Sequence, residues 1–310
     1  MKEMTFISVI TYAHNVEDSI ADFILKIDSF LNNNFNSYEI IIVNDDSKDN
    51  TEDEIFNIKD IVKGNVTIVN LWQKHGVDRA LFAGGDISIG DFVFEFESII
   101  IDYPMNLILD MYRKSTIENY DIVLATGDKA ENLLVKTYFK VIKRLSNKKI
   151  ILDNSQLRLL TRRALYKMAD NKEIITNRSI MYKNCGFEWT EIVYSTDSYK
   201  IKNKKRINKR IIKDLKAVMI YTQLFTKLPL LFSGLFLLFF LMILLSGTLN
   251  SSLITLEKIC NKLLLGTISL GFTLIFLILG IMYKNINMLI NIGINSHSYK
   301  VKNIKRINKY

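Results

Sequence analysis

Two uncharged apolar stretches constrain the fold of this chain more than any other feature. Leu228–Leu245 and Leu263–Tyr283 contain no Asp, Glu, Lys or Arg. Each is long enough to cross a hydrocarbon layer of ~30 Å as a helix. The alternative is a pair of buried helices in a soluble protein, but 310 residues offer little core to surround two helices that are apolar on all sides. The sequence therefore predicts two transmembrane helices, at 228–246 and 263–283.

The net charge of +9 divides into two parts of opposite sign. Residues 1–199 hold 23 Lys and Arg against 30 Asp and Glu, whereas residues 200–310 hold 18 against 2. The basic residues flank the apolar stretches, which indicates a membrane rather than a nucleic acid as the partner. Under the positive-inside rule both flanks face the cytoplasm. We therefore expect a multi-pass protein of the inner (cytoplasmic) membrane that does not bind nucleic acid.

The segments on either side of the apolar stretches are basic. The spacing of Ile207, Ile211, Leu215 and Val218 within residues 201–227 predicts an amphipathic juxtamembrane helix that lies on anionic lipid, with a solvated linker helix as the alternative. Residues 284–310 are expected to be a basic cytoplasmic tail. The chain starts directly in a strand-like run without the pattern of a signal peptide, so residues 1–200 are expected to stay in the cytosol.

Residues 1–200 alternate between strand-like and helix-like segments. Short β-branched runs recur, and stretches of helical period fall between them. This alternation predicts an α/β domain with a mostly parallel, Rossmann-like sheet, in which ligands bind beyond the carboxyl ends of the strands. Neither G-x-G-x-x-G nor a P-loop motif occurs there, and two cysteines and three histidines exclude a disulfide framework and a multi-histidine metal cage. The predicted strands are Phe6–Ile10, Tyr38–Val43, Asn65–Val69, Asp91–Phe96 and Tyr120–Leu124.

Polar motifs follow these strands in a characteristic order. Val43–Thr51 reads VNDDSKDNT, and Gly90–Glu97 reads GDFVFEFE. Asp153–Arg163 reads DNSQLRLLTRR. Over residues 5–220 this order resembles the family 2 glycosyltransferases of the GT-A fold, and within them the polyisoprenyl-phosphate type, such as dolichyl-phosphate mannose synthases and bactoprenol glucosyltransferases. In the bactoprenol enzymes the resemblance extends to a following pair of transmembrane helices.

The resemblance implies a nucleotide site in the first loops. Asp45 matches the carboxylate that accepts the N–H of the donor base, although a helix N-cap role fits the same residue. Glu17 matches a family position in the first loop, where Tyr12 and His14 replace the usual Pro and Tyr and His14 is able to stack on a base. Val77 replaces a family Lys after Gly76, and Lys74 and Arg79 are the candidate substitutes for it.

The resemblance also implies a divalent metal, Mg²⁺ or Mn²⁺. The family's D-x-D motif is reduced here to Glu97-Ser98-Ile99, so Glu97 offers an oxygen but Ile99 does not. Because Mg²⁺ on a diphosphate takes most of its ligands from phosphate and water, this change predicts a weakened metal site. The alternative is that Glu97 only ends a strand at the surface.

The third motif is expected to serve catalysis and the acceptor. Asp153, Arg158, Arg162 and Arg163 match the family motif, and Gln156 replaces an Asp that acts as a general base in relatives with hydroxyl acceptors. A polyprenyl phosphate is already an anion at neutral pH and needs no base. We therefore assign Arg158, Asp153 and Gln156 to catalysis, and Arg162 and Arg163 to the acceptor phosphate. Arg158, helped by Arg162 or Arg163, is expected to orient that phosphate. An ordinary ion pair is the alternative for Arg158.

The resulting hypothesis is a membrane-bound inverting glycosyltransferase that moves a sugar from a nucleotide diphosphate, in particular UDP, to a polyisoprenyl phosphate for cell-surface glycans. Its partners would be the nucleotide-sugar donor, the lipid phosphate and the membrane, while a homo-oligomer stays open. The changes at Ile99 and Gln156 support a rival, a degenerate scaffold that binds a nucleotide sugar or a partner membrane enzyme. A processive synthase is a weaker alternative, since two spans offer little for a channel.

Overall fold

The computed structural model describes residues 2–128, 155–170, 178, 181–182, 185–195, 224–249, 256–294 and 299–307. The chain divides into two units. One unit contains the described residues up to 195 together with residues 299–307, and the other contains the two apolar helices. The predicted juxtamembrane helix lies, over residues 201–223, outside the described residues.

The first unit is built on an eight-stranded mixed sheet. Its strands lie in the order β7-β5-β6-β4-β1-β2-β3-β8. Six strands run in one direction, whereas β6 and β8 are antiparallel to their neighbours. The strands are β1 Glu3–Ala13, β2 Phe35–Asn44, β3 Asn65–Leu71, β4 Phe92–Phe96, β5 Ile122–Asp128, β6 Leu157–Thr161, β7 Trp189–Ser195 and β8 Val301–Arg306.

Helices cover the sheet as the alternation of the sequence predicted. They are α1 Glu17–Asn34, α2 Thr51–Asn57, α3 Val77–Ile87, α4 Leu107–Glu118 and α5 Arg162–Asp170. The central strands β1, β2 and β4 are buried on both faces, since Val9 and Phe94 pack in one apolar cluster and Ile10 and Val93 in the other. The predicted mostly parallel α/β fold is therefore confirmed.

Helix α3 lies against the sheet so closely that a glycine is required at the contact. A Cβ at Gly84 would be 2.3 Å from Ile10 Cγ2 and 3.1 Å from Val43 Cγ2. At the turn before β4, a Cβ at Gly90 would be 2.5 Å from the main-chain nitrogen of Ser8. These two glycines let the helix and the turn approach β1, which fixes the positions of the loops that follow the strands.

The second unit is a helical hairpin. Its helices are α6, Leu224–Leu249, and α7, Leu256–Ile294. They run antiparallel, because Phe236 stacks on Phe272 and Phe276 while Gly266 lies near Phe240. The side chains that face away from the partner helix are mostly apolar and exposed.

Both helices are long and apolar enough to cross a membrane, over Lys227–Leu245 and Cys260–Ile286. Only 6% and 22% of these spans are buried within the hairpin, so most of their apolar surface needs another cover. The hairpin agrees with the two predicted spans in position. Helix α7 extends beyond the predicted span at both ends.

The segment after the hairpin is not only a tail. Residues 301–306 form β8, which pairs with β3 at the edge of the sheet in the first unit. The two apolar residues of VKNIKR, Val301 and Ile304, fall on opposite faces, so neither face of this strand has the apolar pattern by which strands are predicted. The strand therefore becomes apparent only from its main-chain pairing.

Candidate active site

The loops with the predicted functional residues meet at one edge of the sheet. Strands β4, β1, β2 and β3 are neighbours and parallel, so their carboxyl ends lie side by side. We call this the carboxyl edge, made by residues 12–17, 44–51, 71–77 and 96–99. Loops that follow adjacent parallel strands form the usual ligand crevice of an open α/β sheet.

Asp45 is a buried residue that links two loops of the carboxyl edge. Its carboxylate is fully buried and accepts the main-chain N–H of His75 at 2.7 Å and of Gly76 at 2.8 Å. Gly76 has a φ of +88°, a conformation that favours glycine. Asp45 thus joins the loop after β2 to the loop after β3. Its predicted contact with the donor base stays a prediction.

The first and second loops are held together by reciprocal hydrogen bonds. Ser47 Oγ accepts the N–H of Asn15 at 3.0 Å, and Asn15 Oδ1 accepts the N–H of Lys48 at 2.8 Å. Asn15 has a φ of +51°, which asparagine tolerates better than most residues. These bonds make the two loops one rigid wall of the crevice.

Glu17 belongs to the same network. Its Oε2 accepts the N–H of Asn50 at 2.8 Å, and its own N–H donates to Asp49 Oδ2 at 3.1 Å. Burial raises the pKa of Asp49, but the hydrogen bonds from the Thr51 hydroxyl and from main-chain N–H groups outweigh it and lower the pKa overall. The structure therefore gives Glu17 a role in loop geometry beside the nucleotide role predicted for it.

Tyr12 and His14 lie at the end of β1 beside Asp45. Burial and the nearby Asp45 carboxylate raise the pKa of the Tyr12 hydroxyl, which is neutral at physiological pH. His14 Nδ1 donates to the carbonyl oxygen of Asp45 at 2.8 Å, so this nitrogen carries a proton. Both residues are half-buried, and Lys74 is exposed in the loop after β3. The structure thus brings these three residues to the carboxyl edge with Asp45.

Glu97 and Arg158 form an ion pair at the end of β4. Arg158 Nη2 donates to Glu97 Oε1 at 2.7 Å and to the carbonyl oxygen of Ser155 at 3.0 Å. The arginine side chain is 2% exposed and the glutamate side chain 24% exposed. Gln156 is adjacent, because its carbonyl oxygen accepts the N–H of Glu97 at 3.0 Å. Arg158, Gln156 and Glu97 are therefore brought together, whereas Asp153 lies outside the described residues.

Glu95 and Arg178 form a second buried ion pair. Glu95, two residues before Glu97 on β4, accepts hydrogen bonds from Arg178 and from the hydroxyl of Tyr182. Arg178 also lies over the ring of Phe82, with Cζ 4.2 Å from the centroid. Burial lowers the pKa of Arg178, but the charge of Glu95 outweighs it, so the guanidinium stays ionised.

Arg178 and Tyr182 belong to no sequence motif and therefore could not be predicted as site residues. The one available signal was Glu95, a charged residue in the middle of an otherwise apolar strand. Such a residue needs a buried partner of opposite charge, although the sequence does not say which residue that is.

Arg162 and Arg163 do not join this group. Because β6 is antiparallel to β4, Arg158 at its beginning lies beside Glu95, whereas Thr161 at its end lies beside Phe92. Arg162 donates to the carbonyl oxygens of Gly90 and Ser88, and Arg163 pairs with Asp121. The predicted grouping of these two arginines with Arg158 around one phosphate is thus not what the structure shows, since strand direction places them at the opposite edge.

The described residues do not form a site for a metal ion by themselves. Among them, no group of three or more His, Cys, Asp or Glu side chains lies close enough to share an ion. Ile99 is buried and has no oxygen to offer, while Glu95 is engaged by Arg178 and Tyr182. Glu97 is a partly exposed carboxylate at the end of β4, on the carboxyl edge. A cation there would take its remaining ligands from a diphosphate and water, which is a common arrangement for Mg²⁺.

Comparison with known proteins shows which family this part of the chain resembles. Residues 8–148 match the model of glycosyl transferase family 2. An uncharacterized glycosyltransferase of Synechocystis sp. is 27% identical over 201 residues, which are 62% of this chain and 61% of the relative. The prophage bactoprenol glucosyl transferase homolog of Escherichia coli is 26% identical over 183 residues, 57% of this chain and 58% of the relative. The chain thus spans about three fifths of the length of these relatives.

Solved structures share the fold. Mannosyl-3-phosphoglycerate synthase from Rubrobacter xylanophilus superposes with a TM-score of 0.52 at 13% identity, over 69% of this chain and 72% of that one. Glucosyl-3-phosphoglycerate synthase from Mycobacterium tuberculosis, in complex with Mn²⁺, UDP-glucose and phosphoglyceric acid, superposes with a TM-score of 0.50 at 15% identity, over 69% and 79%.

Residues 8–148 thus resemble the family 2 glycosyl transferases, and the sheet has the GT-A fold. The resemblance inferred from the sequence motifs, including that to the bactoprenol glucosyltransferases, is confirmed.

Proposed function

We propose that this protein transfers a sugar, with inversion, from a nucleotide diphosphate to a polyisoprenyl phosphate at the cytoplasmic face of a membrane. The observation that carries the proposal is the meeting, at one carboxyl edge, of the loops tied by Asp45 and the Glu97–Arg158 pair. The family domain supports the reaction, and the bactoprenol glucosyltransferases among the relatives support the lipid acceptor.

The donor would lie across the carboxyl edge. Asp45 keeps the loop at His75 and Gly76 in place for the nucleotide, and Tyr12 and His14 line the same wall. Glu97, held by Arg158, would face the diphosphate, and it is the residue that would hold Mg²⁺ or Mn²⁺ there. A divalent cation would neutralise the charge that develops on the leaving diphosphate. Since the solved neighbour with UDP-glucose contains Mn²⁺, we propose Mn²⁺ and Mg²⁺ as the ions to test.

The acceptor needs no base from the protein. A phosphate monoester oxygen carries negative charge at neutral pH, so it is able to attack the anomeric carbon directly. This agrees with Gln156 beside Glu97, where the related motif has an aspartate. What the protein has to supply is proximity, because the lipid phosphate and the soluble donor must meet in one orientation.

The helical hairpin supports a membrane location for this reaction. The chain leaves the first unit, forms α6 and α7, and returns to add β8 to the same sheet. Both ends of the hairpin are thus connected to one folded unit, which requires an even number of membrane crossings. We propose that α6 and α7 cross the membrane twice and that the sheet and the C-terminal strand both lie in the cytoplasm.

The test is transfer of label from radioactive UDP-glucose, UDP-galactose, UDP-N-acetylglucosamine or GDP-mannose to undecaprenyl phosphate in detergent with Mn²⁺. We expect organic-extractable label from one donor. Absence of labelled lipid from every donor, with a protein that is folded by thermal unfolding, would contradict the proposal.

A scaffold without catalysis is the second candidate, and one observation favours it. Glu95 on β4 and Glu97 directly after the strand are both paired with arginines that are almost fully buried. A nucleotide titration separates the two candidates. Affinity for UDP that rises with Mn²⁺ supports the enzyme, whereas the same affinity with and without Mn²⁺, together with no transfer, supports the scaffold.

A further inference from the structure

The C-terminal strand reaches the carboxyl edge of the sheet. Because β8 is antiparallel to β3, its first residues lie beside the last residues of β3. Trp72 N–H donates to the carbonyl oxygen of Lys300 at 2.8 Å, and Lys300 N–H donates to His75 Nε2 at 3.3 Å. Lys300 therefore contacts both the first and the last residue of the loop Trp72–His75. The main-chain N–H of His75 in turn donates to the Asp45 carboxylate.

An amide ladder fixes the register of this strand. Asn44 Nδ2 donates to Asn70 Oδ1 at 2.8 Å, and Asn70 Nδ2 donates to Asn303 Oδ1 at 2.8 Å. Asn44 and Asn70 are buried. A slip of one residue would turn Asn303 to the other face and leave the buried Asn70 amide without this acceptor. The ladder therefore specifies which residue of β8 lies beside the carboxyl edge.

In this register, the side chains of Trp72 and Lys302 lie near each other and are both exposed to solvent. The Trp72 side chain is 62% exposed, which is unusual for an indole, and Lys302 Nζ lies 5.8 Å from its ring centroid. The pKa of Asp46, in the loop after β2, is lowered first by its hydrogen bond with Lys48, and the positive charge of Lys302 adds to this effect. Trp72 and Lys302 are thus part of the carboxyl edge and not an isolated surface feature.

We propose that Trp72 and Lys302 bind the base of the donor nucleotide: the base stacks on the indole, and the Lys302 ammonium donates to a carbonyl oxygen of the base. Aromatic side chains are stacking platforms for any base, and an ammonium offers three donors. This inference rests on the proposed function, in which the donor is a nucleotide sugar. It makes the C-terminal strand, beyond the hairpin in sequence, a component of the donor site.

The strand order agrees with this placement. Trp72 follows β3 and Glu97 follows β4, and β1 and β2 lie between them. Three strand spacings are about 14 Å. This separation is comparable to the length of an extended nucleoside diphosphate, with its base at Trp72 and its diphosphate at Glu97. Asp45, which is buried between the two, shapes the floor of the same crevice.

The experiment measures binding of three probes, UDP, uridine and pyrophosphate, to the full chain in detergent. The chain has two tryptophans, so a Trp189→Phe background reports Trp72 fluorescence alone. We expect UDP and uridine to quench it, and pyrophosphate to have no effect. Measured by calorimetry, Trp72→Ala should lower the affinity for UDP and the affinity for uridine roughly tenfold each, as expected for one stacked base. Lys302→Ala should lower the affinities for UDP and uridine by a smaller factor and leave the affinity for pyrophosphate unchanged.

Two variants serve as controls. Lys305→Ala removes a lysine of the same strand that pairs with Glu52 at 2.6 Å, and it should bind all three probes as the wild type does. Trp72→Phe keeps an aromatic face and should retain more uridine affinity than Trp72→Ala, which distinguishes stacking from a loss of folding.

Three results would overturn the inference. Unchanged uridine affinity in both Trp72→Ala and Lys302→Ala would show that neither residue contacts the base. Weaker binding of pyrophosphate in parallel with uridine would show a general distortion of the edge. If the wild type itself binds neither UDP nor uridine, the proposed uridine nucleotide donor is wrong, and this inference is wrong with it.

Discussion

Arg158 Nη2 and Glu97 Oε1 lie 2.7 Å apart, in an ion pair that joins β6 to the end of β4. The two residues were assigned from the sequence to different tasks, the arginine to a phosphate and the glutamate to a metal. Their contact means that neither task is independent, because the guanidinium holds one oxygen of the Glu97 carboxylate. The pair is the first place where the proposed reaction can be tested by substitution.

Glu97→Gln should lower the turnover of sugar transfer by about 100-fold or more, because the amide keeps the shape and an acceptor for Arg158 but loses the charge that would hold a cation. The measurement is the rate of labelled lipid formation at saturating donor. Glu191→Gln, an exposed glutamate on β7, is the matched control and should keep full activity. Turnover in Glu97→Gln above half of the wild-type value would contradict the role of Glu97.

Arg178→Met should destabilise the sheet domain by about 3–5 kcal/mol, because it leaves the buried Glu95 without its ionic partner. The measurement is the unfolding transition in denaturant or on heating. The double variant Glu95→Gln/Arg178→Met removes the unpaired charge and should recover at least half of the loss. If the single variant is as stable as the wild type, the buried pair does not contribute to stability as described.

Asp49 should make the stability of the loop region depend on acid pH. Its folded pKa lies below the ordinary 3.8, so its contribution is complete at neutral pH and is lost as the pH falls through the folded pKa. Asp49→Asn should therefore be less stable than the wild type by roughly 1 kcal/mol at pH 7, and the difference should shrink below about pH 4.

Denaturant unfolding at several pH values between 3 and 7 measures this dependence. Asp22→Asn on α1 is the control, since Asp22 is exposed and outside the loop network. A difference between wild type and Asp49→Asn that stays constant down to pH 3 would contradict the prediction.

Cysteine labelling should reveal the topology of the hairpin. In a Cys185→Ser chain, Cys260 is the only cysteine, and it begins the second span. A membrane-impermeant maleimide added to intact cells should label it from outside. In Cys185→Ser/Cys260→Ser/Val301→Cys, the cysteine lies at the start of β8 and should be labelled only after the cells are opened. Labelling of residue 301 in intact cells would contradict a cytoplasmic C-terminal strand.

Much of the fold could be predicted from the sequence because its signals are local. The β-branched runs that became β1 to β5 and the helical periods between them each depend on residues a few positions apart. The uncharged stretch Leu228–Leu245 likewise carries its own signal, since the length of a span depends on composition alone. The wrong grouping of Arg162 and Arg163 with Arg158 has the opposite cause, because the direction of β6 depends on which strand it joins.

The sequence by itself determined that an α/β domain precedes two apolar helices, and that Asp45 and Glu97 follow strands and so belong to a ligand edge. Only the tertiary structure decided that Arg158 pairs with Glu97, that Arg178 pairs with Glu95, and that residues 301–306 complete the sheet beside Trp72. The physical reason is distance along the chain. Hydrophobic period and strand length act between near neighbours, whereas an ion pair or an added strand joins residues 61 to more than 200 positions apart, and no local pattern records which partner is chosen.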